Sequence, residues 1–394
     1  MNYANEDFDK DKNYLRDASA EGYVVVPGIK NNGPTEHIFY RKVGSGKNLL
    51  VFLPGNNTSS VVYSGVLNKF SAVESLNRNY TAIAIDYRGS GKSSYNTPIS
   101  ALRDFALDIE SFLSSFHDIE SYEVSLIGYS MGFPVAIELT NISPKRYQSI
   151  VGLAPVGTRG IRADFNKSNR GVDSSGKYWE DGDWVPIDNH DKSIDITGFH
   201  QRAWQGNNRN FATVKNTWDM IVFNDSLKFD LSKNITTDLD AIDASTYISV
   251  LKDCLSIQYM PESLFYTHTF NASSIDFLPH TNSDGKEITI SAMNKISDFE
   301  NKHVLLVKAG SDINNWRGDL VIDDQSFSNT YDDLTSVGAK VTLVSIDAGH
   351  TYDHGMVITH PEKMVLLIDA FLNGDLTNNK TNSILEAPIF YRRN

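Results

Sequence analysis

Ser130 stands between two glycines in Gly128-Tyr129-Ser130-Met131-Gly132. The strand-like run Tyr122-Glu123-Val124-Ser125-Leu126-Ile127 leads into this pentapeptide, and from Phe133 to Thr140 apolar residues recur at helical spacing. A serine at the apex of so sharp a strand-to-helix turn sits on strained backbone, and bulk two residues to either side would clash. The turn exposes the hydroxyl above the sheet. The helix behind it offers a backbone N–H and a positive dipole end to a developing oxyanion. A serine hydroxyl is a weak nucleophile by itself and needs a base and an orienting acid. Val307-Lys308-Ala309-Gly310-Ser311-Asp312 puts Asp312 just past the end of an apolar run, and Ile346-Asp347-Ala348-Gly349-His350 does the same for His350. The chain order Ser, Asp, His is that of one known triad arrangement. His354 and Asp319 are the alternatives for base and acid, while Asp347 is better placed to orient its loop than to titrate.

The elements that must hold these residues alternate between strand and helix, which predicts a mostly parallel sheet covered on both faces. Glu21–Pro27 and His37–Val43 read as an antiparallel opening pair. Leu49–Leu53, Thr81–Ile85 and Ser149–Leu153 are continuous apolar runs, as strands buried on both faces should be. Ile99–Phe116 has helical spacing, with Leu102, Phe105, Ala106, Ile109 and Leu113 on one face. From Gly157 the rhythm breaks into a stretch rich in Gly, Asp, Asn and Ser, with helical patterns at Gly198–Phe223 and Leu239–Leu255. It resumes with the strand His303–Val307, a helix near Ser326–Val337, the strand Lys340–Ile346 and the helix Glu362–Leu372. The expected organisation is therefore a core in two parts, 1–156 and 301–375, around a cap insertion at 157–300, followed by a tail at 376–394. An interruption that long is rarely structureless inside a compact protein. Trp179, Trp184, Trp204, Trp218, Tyr259 and Phe265 would line a pocket in the cap or form the cap's own core.

With 394 residues, 40% of them hydrophobic, the chain can bury a large core. A net charge of −13 argues against a nucleic-acid or anionic-membrane partner. No run of 18 apolar residues spans a bilayer. The polar, acidic start lacks a signal-peptide pattern, and the single cysteine, Cys254, excludes an internal disulfide framework; a reducing cytoplasm is the expected location. Gly89-Ser90-Gly91-Lys92-Ser93 is not a phosphate-binding loop, because the glycine required five residues before Gly91 is Asp86. The histidines suggest no metal site, no cofactor is expected, and the sequence does not disclose the oligomeric state.

Four signals occur in order: Gly-Tyr-Ser-Met-Gly at 128–132, Asp86-Tyr87-Arg88-Gly89-Ser90-Gly91 after a strand, Gly310-Ser311-Asp312, and Gly349-His350 with His360-Pro361 opening the last helix. Together they resemble the α/β-hydrolase superfamily of serine hydrolases with an inserted cap, over residues from about 20 to 375. The resemblance implies a mostly parallel sheet flanked by helices with a large, mainly helical cap. It also implies a triad of Ser130 as nucleophile, His350 as base and Asp312 as the acid that fixes its tautomer. The oxyanion hole would be the N–H of Met131 together with that of Asn56, or Asn57, in a turn that carries Pro54-Gly55 where family members often have His-Gly. By the same resemblance Asp86 and Arg88 tie the turn after their strand. The implied activity is cleavage of an ester or lactone of a small organic molecule through an acyl-enzyme. The alternatives are an aminopeptidase of the proline-releasing type, with Glu180, Asp181 and Asp183 as candidates to hold the free amine, and an acyltransferase using the same triad. A non-catalytic binder on this fold would have no need of a triad.

Overall fold

The computed structural model describes residues 13–28, 33–56, 58–97, 99, 102–158, 296–312, 315, 317–322 and 324–394, with short pieces at 179–180, 183–184, 249–252, 280–281 and 287–288. Its centre is a nine-stranded sheet. The strands are β1 (Glu21–Val26), β2 (Glu36–Gly44), β3 (Asn48–Leu53), β4 (Tyr80–Ile85), β5 (Glu123–Tyr129), β6 (Tyr147–Leu153), β7 (His303–Ala309), β8 (Lys340–Ile346) and β9 (Ile389–Arg393). Their order across the sheet is β1-β2-β4-β3-β5-β6-β7-β8-β9. The six from β4 to β8 run parallel, and antiparallel pairings occur only at the flanks, β1 with β2, β2 with β4 and β8 with β9.

Side-chain alternation divides each central strand between two cores. Leu50 and Phe52 of β3 face one side, with α1 (Ser64–Ala72) and the helices that follow β8, α6 (Met356–Thr359) and α7 (Pro361–Leu372). Leu49, Val51 and Leu53 face the other, with α3 (Leu102–Ser114), α4 (Gly132–Ile142) and α5 (Asp324–Ser336). The short α2 (Glu74–Asn79) leads from α1 into β4. Helical spacing explains α3: Leu102, Phe105, Ala106, Ile109 and Leu113 are all buried on the second face. Proline opens α7, where its missing N–H costs no hydrogen bond.

Every strand expected from the apolar runs is present, within a few residues of the expected bounds. The tail is the exception. Residues 376–394 are part of the core: α8 (Asn378–Leu385) is followed by a left-handed turn at Glu386, φ 53°, and β9 then pairs with β8 from Thr342↔Arg393 to Ile346↔Ile389. The polar stretch before Ile384 concealed it, because an edge strand needs only one buried face. The insertion expected at 157–300 lies almost wholly outside the described residues, as do Trp204, Trp218, Tyr259, Phe265 and most of the two helical patterns. The pieces described there include two short antiparallel ladders, Trp179–Glu180 with Asp183–Trp184 and His280–Thr281 with Glu287–Ile288.

Candidate active site

Ser130 follows β5 directly and precedes α4, and it adopts φ 51°, a left-handed backbone that costs a serine free energy. The turn is held from both sides. The Ser130 N–H donates to Leu153 O (3.0 Å), and the Ser130 carbonyl accepts from Phe133 N and Val156 N (each 3.1 Å). Both glycines are required by space. A Cβ on Gly128 would lie 2.5 Å from Gly132 C, and one on Gly132 would overlap the Leu53 carbonyl oxygen.

The imidazole that meets Ser130 is that of His354, with Nε2 3.1 Å from the Ser130 Oγ. Its Nδ1 lies 3.0 and 3.1 Å from the two oxygens of Asp319. Asp319 is fully buried, yet its carboxyl is held below the usual carboxylate range. Burial opposes this, and the His354 ring, the Lys308 ammonium and the Ile322 N–H outweigh it. An ionised carboxylate only accepts, so Nδ1 carries the proton and Nε2 presents a lone pair to the serine.

This geometry corrects the expected base and acid. His350 is an exposed residue of the turn after β8, where its N–H donates to Asp347 O and the neighbouring Gly349 N–H donates to Asp347 Oδ1. That turn uses up Asp347 to His350 and sends His350 outward. The chain then turns inward at Tyr352, whose hydroxyl donates to Leu385 O (2.7 Å), and His354 follows into the interior. Asp312 is displaced in the same way. After Gly310 the chain makes a small excursion in which Ser311–Asp312 pairs with Arg317–Gly318, and the Asp312 carboxylate accepts from the Asn315 N–H and side-chain amide. The excursion returns to its origin, with Asp319 N donating to Gly310 O (3.1 Å), so Asp319 takes the place expected for Asp312.

Gly318 makes that return possible. Its φ is +73°, and a Cβ there would overlap the Gly310 carbonyl oxygen. Gly318→Ala should therefore shift Asp319 off the imidazole and lower kcat by about a hundredfold, the scale of a 1 Å misplacement. Assay of the folded variant with KM determined separately checks this.

His360 braces the histidine loop from behind. Its ring stacks on Tyr352 (centroids 4.1 Å apart), Nδ1 is 2.8 Å from Thr359 Oγ1, and Nε2 is 3.2 Å from Thr351 Oγ1. Burial, helped by the Lys363 charge, pushes this imidazole down from 6.5 to about 4. The unfolded chain therefore binds a proton here that the folded chain refuses. The resulting stability is present above pH 6.5 and is lost as the pH falls through about 4. Denaturant unfolding across that window should show the decline, and His360→Phe, which keeps the stacking, should flatten it.

Of the two expected oxyanion donors, Met131 heads α4 with helical φ and ψ (−57° and −22°). Asn56 lies in the turn after β3, and it is the preceding Gly55 that comes close to Ser130: a Cβ on Gly55 would be 3.2 Å from the Ser130 Cβ. Asn57 lies outside the described residues. The turn is braced where it leaves β3, since Tyr63 Oη donates to Leu53 O (2.7 Å). Asp86 and Arg88 hold the neighbouring loops. The Asp86 carboxyl accepts from Ser60 N (2.7 Å) and Lys92 N (2.8 Å), while the fully buried Arg88 donates to both oxygens of Asp108 and lies 3.5 Å from Glu36. Among the described residues no group of three His, Cys, Asp or Glu side chains could hold a metal ion, and no helix is long and apolar enough to cross a membrane.

Comparison with known proteins places the fold. In solved structures the chain is similar to bromoperoxidase from Bacillus anthracis (TM-score 0.56, 16% identity, covering 89% of this chain and 100% of that one). It is equally similar to the esterase RhEst1 from Rhodococcus sp. (TM-score 0.56, 15% identity, 90% and 99%). The fold is that of the α/β hydrolases. Residues 44–167 match the family described as serine aminopeptidase, S33. Over 142 residues, 36% of the chain, the sequence is 29% identical to the dihydrolipoyllysine-residue acetyltransferase component of the acetoin cleaving system of Cupriavidus necator. The alignment covers only 33% of that relative's length. The S33 match contains the α/β-hydrolase serine turn and stops well before Asp319 and His354, so the acid and base rest on the geometry alone.

Proposed function

We propose that this α/β hydrolase cleaves carboxylic esters or lactones of small organic molecules through an acyl-enzyme, with Ser130 as nucleophile, His354 as general base and Asp319 as its orienting acid. The unbroken hydrogen-bond line Ser130 Oγ–His354 Nε2, His354 Nδ1–Asp319 carries the proposal. In the first half-reaction Ser130 Oγ bonds to the carbonyl carbon as its proton passes to His354 Nε2. The tetrahedral oxyanion forms beside the N–H groups of Met131 and Asn56. Collapse breaks the bond to the alcohol oxygen, which leaves with the proton from His354. A water molecule then repeats the sequence on the acyl-serine and releases the acid. Through both halves Asp319 keeps the ring in one tautomer and stabilises the imidazolium.

The S33 match favours one second reading, an aminopeptidase using the same three residues on an amide. Glu180 and Asp183, two of the three residues suggested above as partners for a free amine, are paired in register in the Trp179–Glu180 ladder. Parallel assays of aryl esters of graded acyl length, lactones, aminoacyl anilides and an acyl-CoA thioester separate these readings. Ester or lactone turnover supports the proposal. Turnover of anilides alone would replace it with the peptidase reading, and thioester turnover that depends on an added acceptor would replace it with acyl transfer.

A further inference from the structure

Lys308 is wholly buried near the end of β7, and the proposed mechanism does not use it. Its ammonium donates to Ala309 O (2.6 Å), Ser311 Oγ (3.2 Å) and Asp324 Oδ1 (2.6 Å), and stands 5.9 Å from the centre of the Phe327 ring. Ser311 passes the contact on: its hydroxyl donates to the carbonyl oxygen of Asp319 itself (2.5 Å), and its N–H donates to Asp324 (3.2 Å). The excursion that carries Asp319 is thus fastened to β7 through a lysine, where a buried apolar side chain would serve packing equally well. A buried ammonium is costly unless its surroundings use the charge.

The charge has a use at Asp319. Among the described residues, the ionisable groups acting on that carboxylate include His354 from the loop after β8, Lys308 from β7 and Asp353 beside His354, with Asp324 at the start of α5 acting through Lys308. Burial and the nearby Asp319 charge push the Asp353 carboxyl well above the usual carboxylate range. While His354 is neutral and ready to accept the serine proton, Lys308 is, among the described residues, the cation left to oppose the burial of Asp319.

We propose that Lys308 is a positioning residue for the Asp319–His354 pair, holding the Asp319 backbone through Ser311 and supplying the positive charge that keeps the pair in its working protonation state. The inference rests on the mechanism proposed above. Without that cation a proton binds the pair more easily, so the acid limb of reactivity moves to higher pH.

The test follows the second-order rate of Ser130 labelling by a fluorophosphonate against pH, in full-length wild type, Lys308→Met, Lys308→Arg and Asp324→Asn, each with its melting temperature. Lys308→Met should move the acid limb up by about half a pH unit or more and slow labelling on that limb by about threefold or more. Lys308→Arg should restore the limb. Asp324→Asn removes a half-exposed anion from the ammonium and should move the limb the opposite way. That reversal of sign is not expected of a purely structural lysine, and it stands as a test even if Lys308→Met does not fold. Labelled wild type with unmoved limbs in the folded variants would overturn the role of Lys308 alone. Wild type that does not label at Ser130 would overturn the nucleophile and this inference with it.

Discussion

Ser130→Ala should lower kcat against the enzyme's best ester by about five orders of magnitude or more, with KM little changed. Removing the nucleophile forfeits the covalent route entirely, and in serine hydrolases this costs nearly as much as removing the whole triad, because the three residues act as a unit. The fold should tolerate the change. Alanine deletes one oxygen, and the bonds that hold the turn are made by the Ser130 backbone to Leu153, Phe133 and Val156. Steady-state kinetics on the purified variant, with its melting temperature beside them, is the check. A residual rate within tenfold of wild type would eliminate the acyl-enzyme mechanism.

The second large effect is a contrast between two histidines four positions apart. His354→Ala should cost about as much as Ser130→Ala, since it removes the proton acceptor at 3.1 Å from Oγ and leaves Asp319 buried without its partner. His350→Ala, at an exposed turn position, should stay within about twofold of wild type, as surface substitutions away from a site do. The two variants can be assayed on the same substrate in one afternoon. Equal losses, or a larger loss at His350, would return the base to the position expected from the sequence.

The contrast also marks the limit of what the sequence makes legible. The serine was readable because its signal is local, two glycines around it with one strand before and one helix after, even though the contacts that demand Gly132 and hold the Ser130 backbone come from Leu53, Leu153 and Val156. The expected acid and base, Asp312 and His350, each follow the end of a buried strand closely, and strand ends are visible as the edges of apolar runs. Beyond those edges the chain takes a path that no periodicity records. Gly310-Ser311-Asp312 looks like the end of a strand plus an acid, yet Ser311–Asp312 is half of a small ladder that brings Asp319 back over Gly310. Gly318 was the available signal, a glycine immediately before an aspartate, and it acquires meaning only once the return path is known. Likewise Asp347–His350 satisfies its own turn, and what carries the chain inward is Tyr352, through a hydrogen bond to a residue 33 positions away. The last strand went unread for the opposite reason, being half-buried and preceded by a polar helix.

Ser130 and His354 are separated by 224 residues, and the strand leading to Asp319 lies against β6 only after the chain has run from Leu153 to His303. Bringing such distant segments together carries the entropy of closing a very long loop, which contacts within either segment do nothing to offset. Residues 21–153 contain most of the sheet and the complete serine turn, yet in isolation they would hold a hydroxyl with no base. Catalytic competence in this chain is therefore a property of the whole topology. A molecule with only that part assembled would hold its serine without the His354 ring beside it.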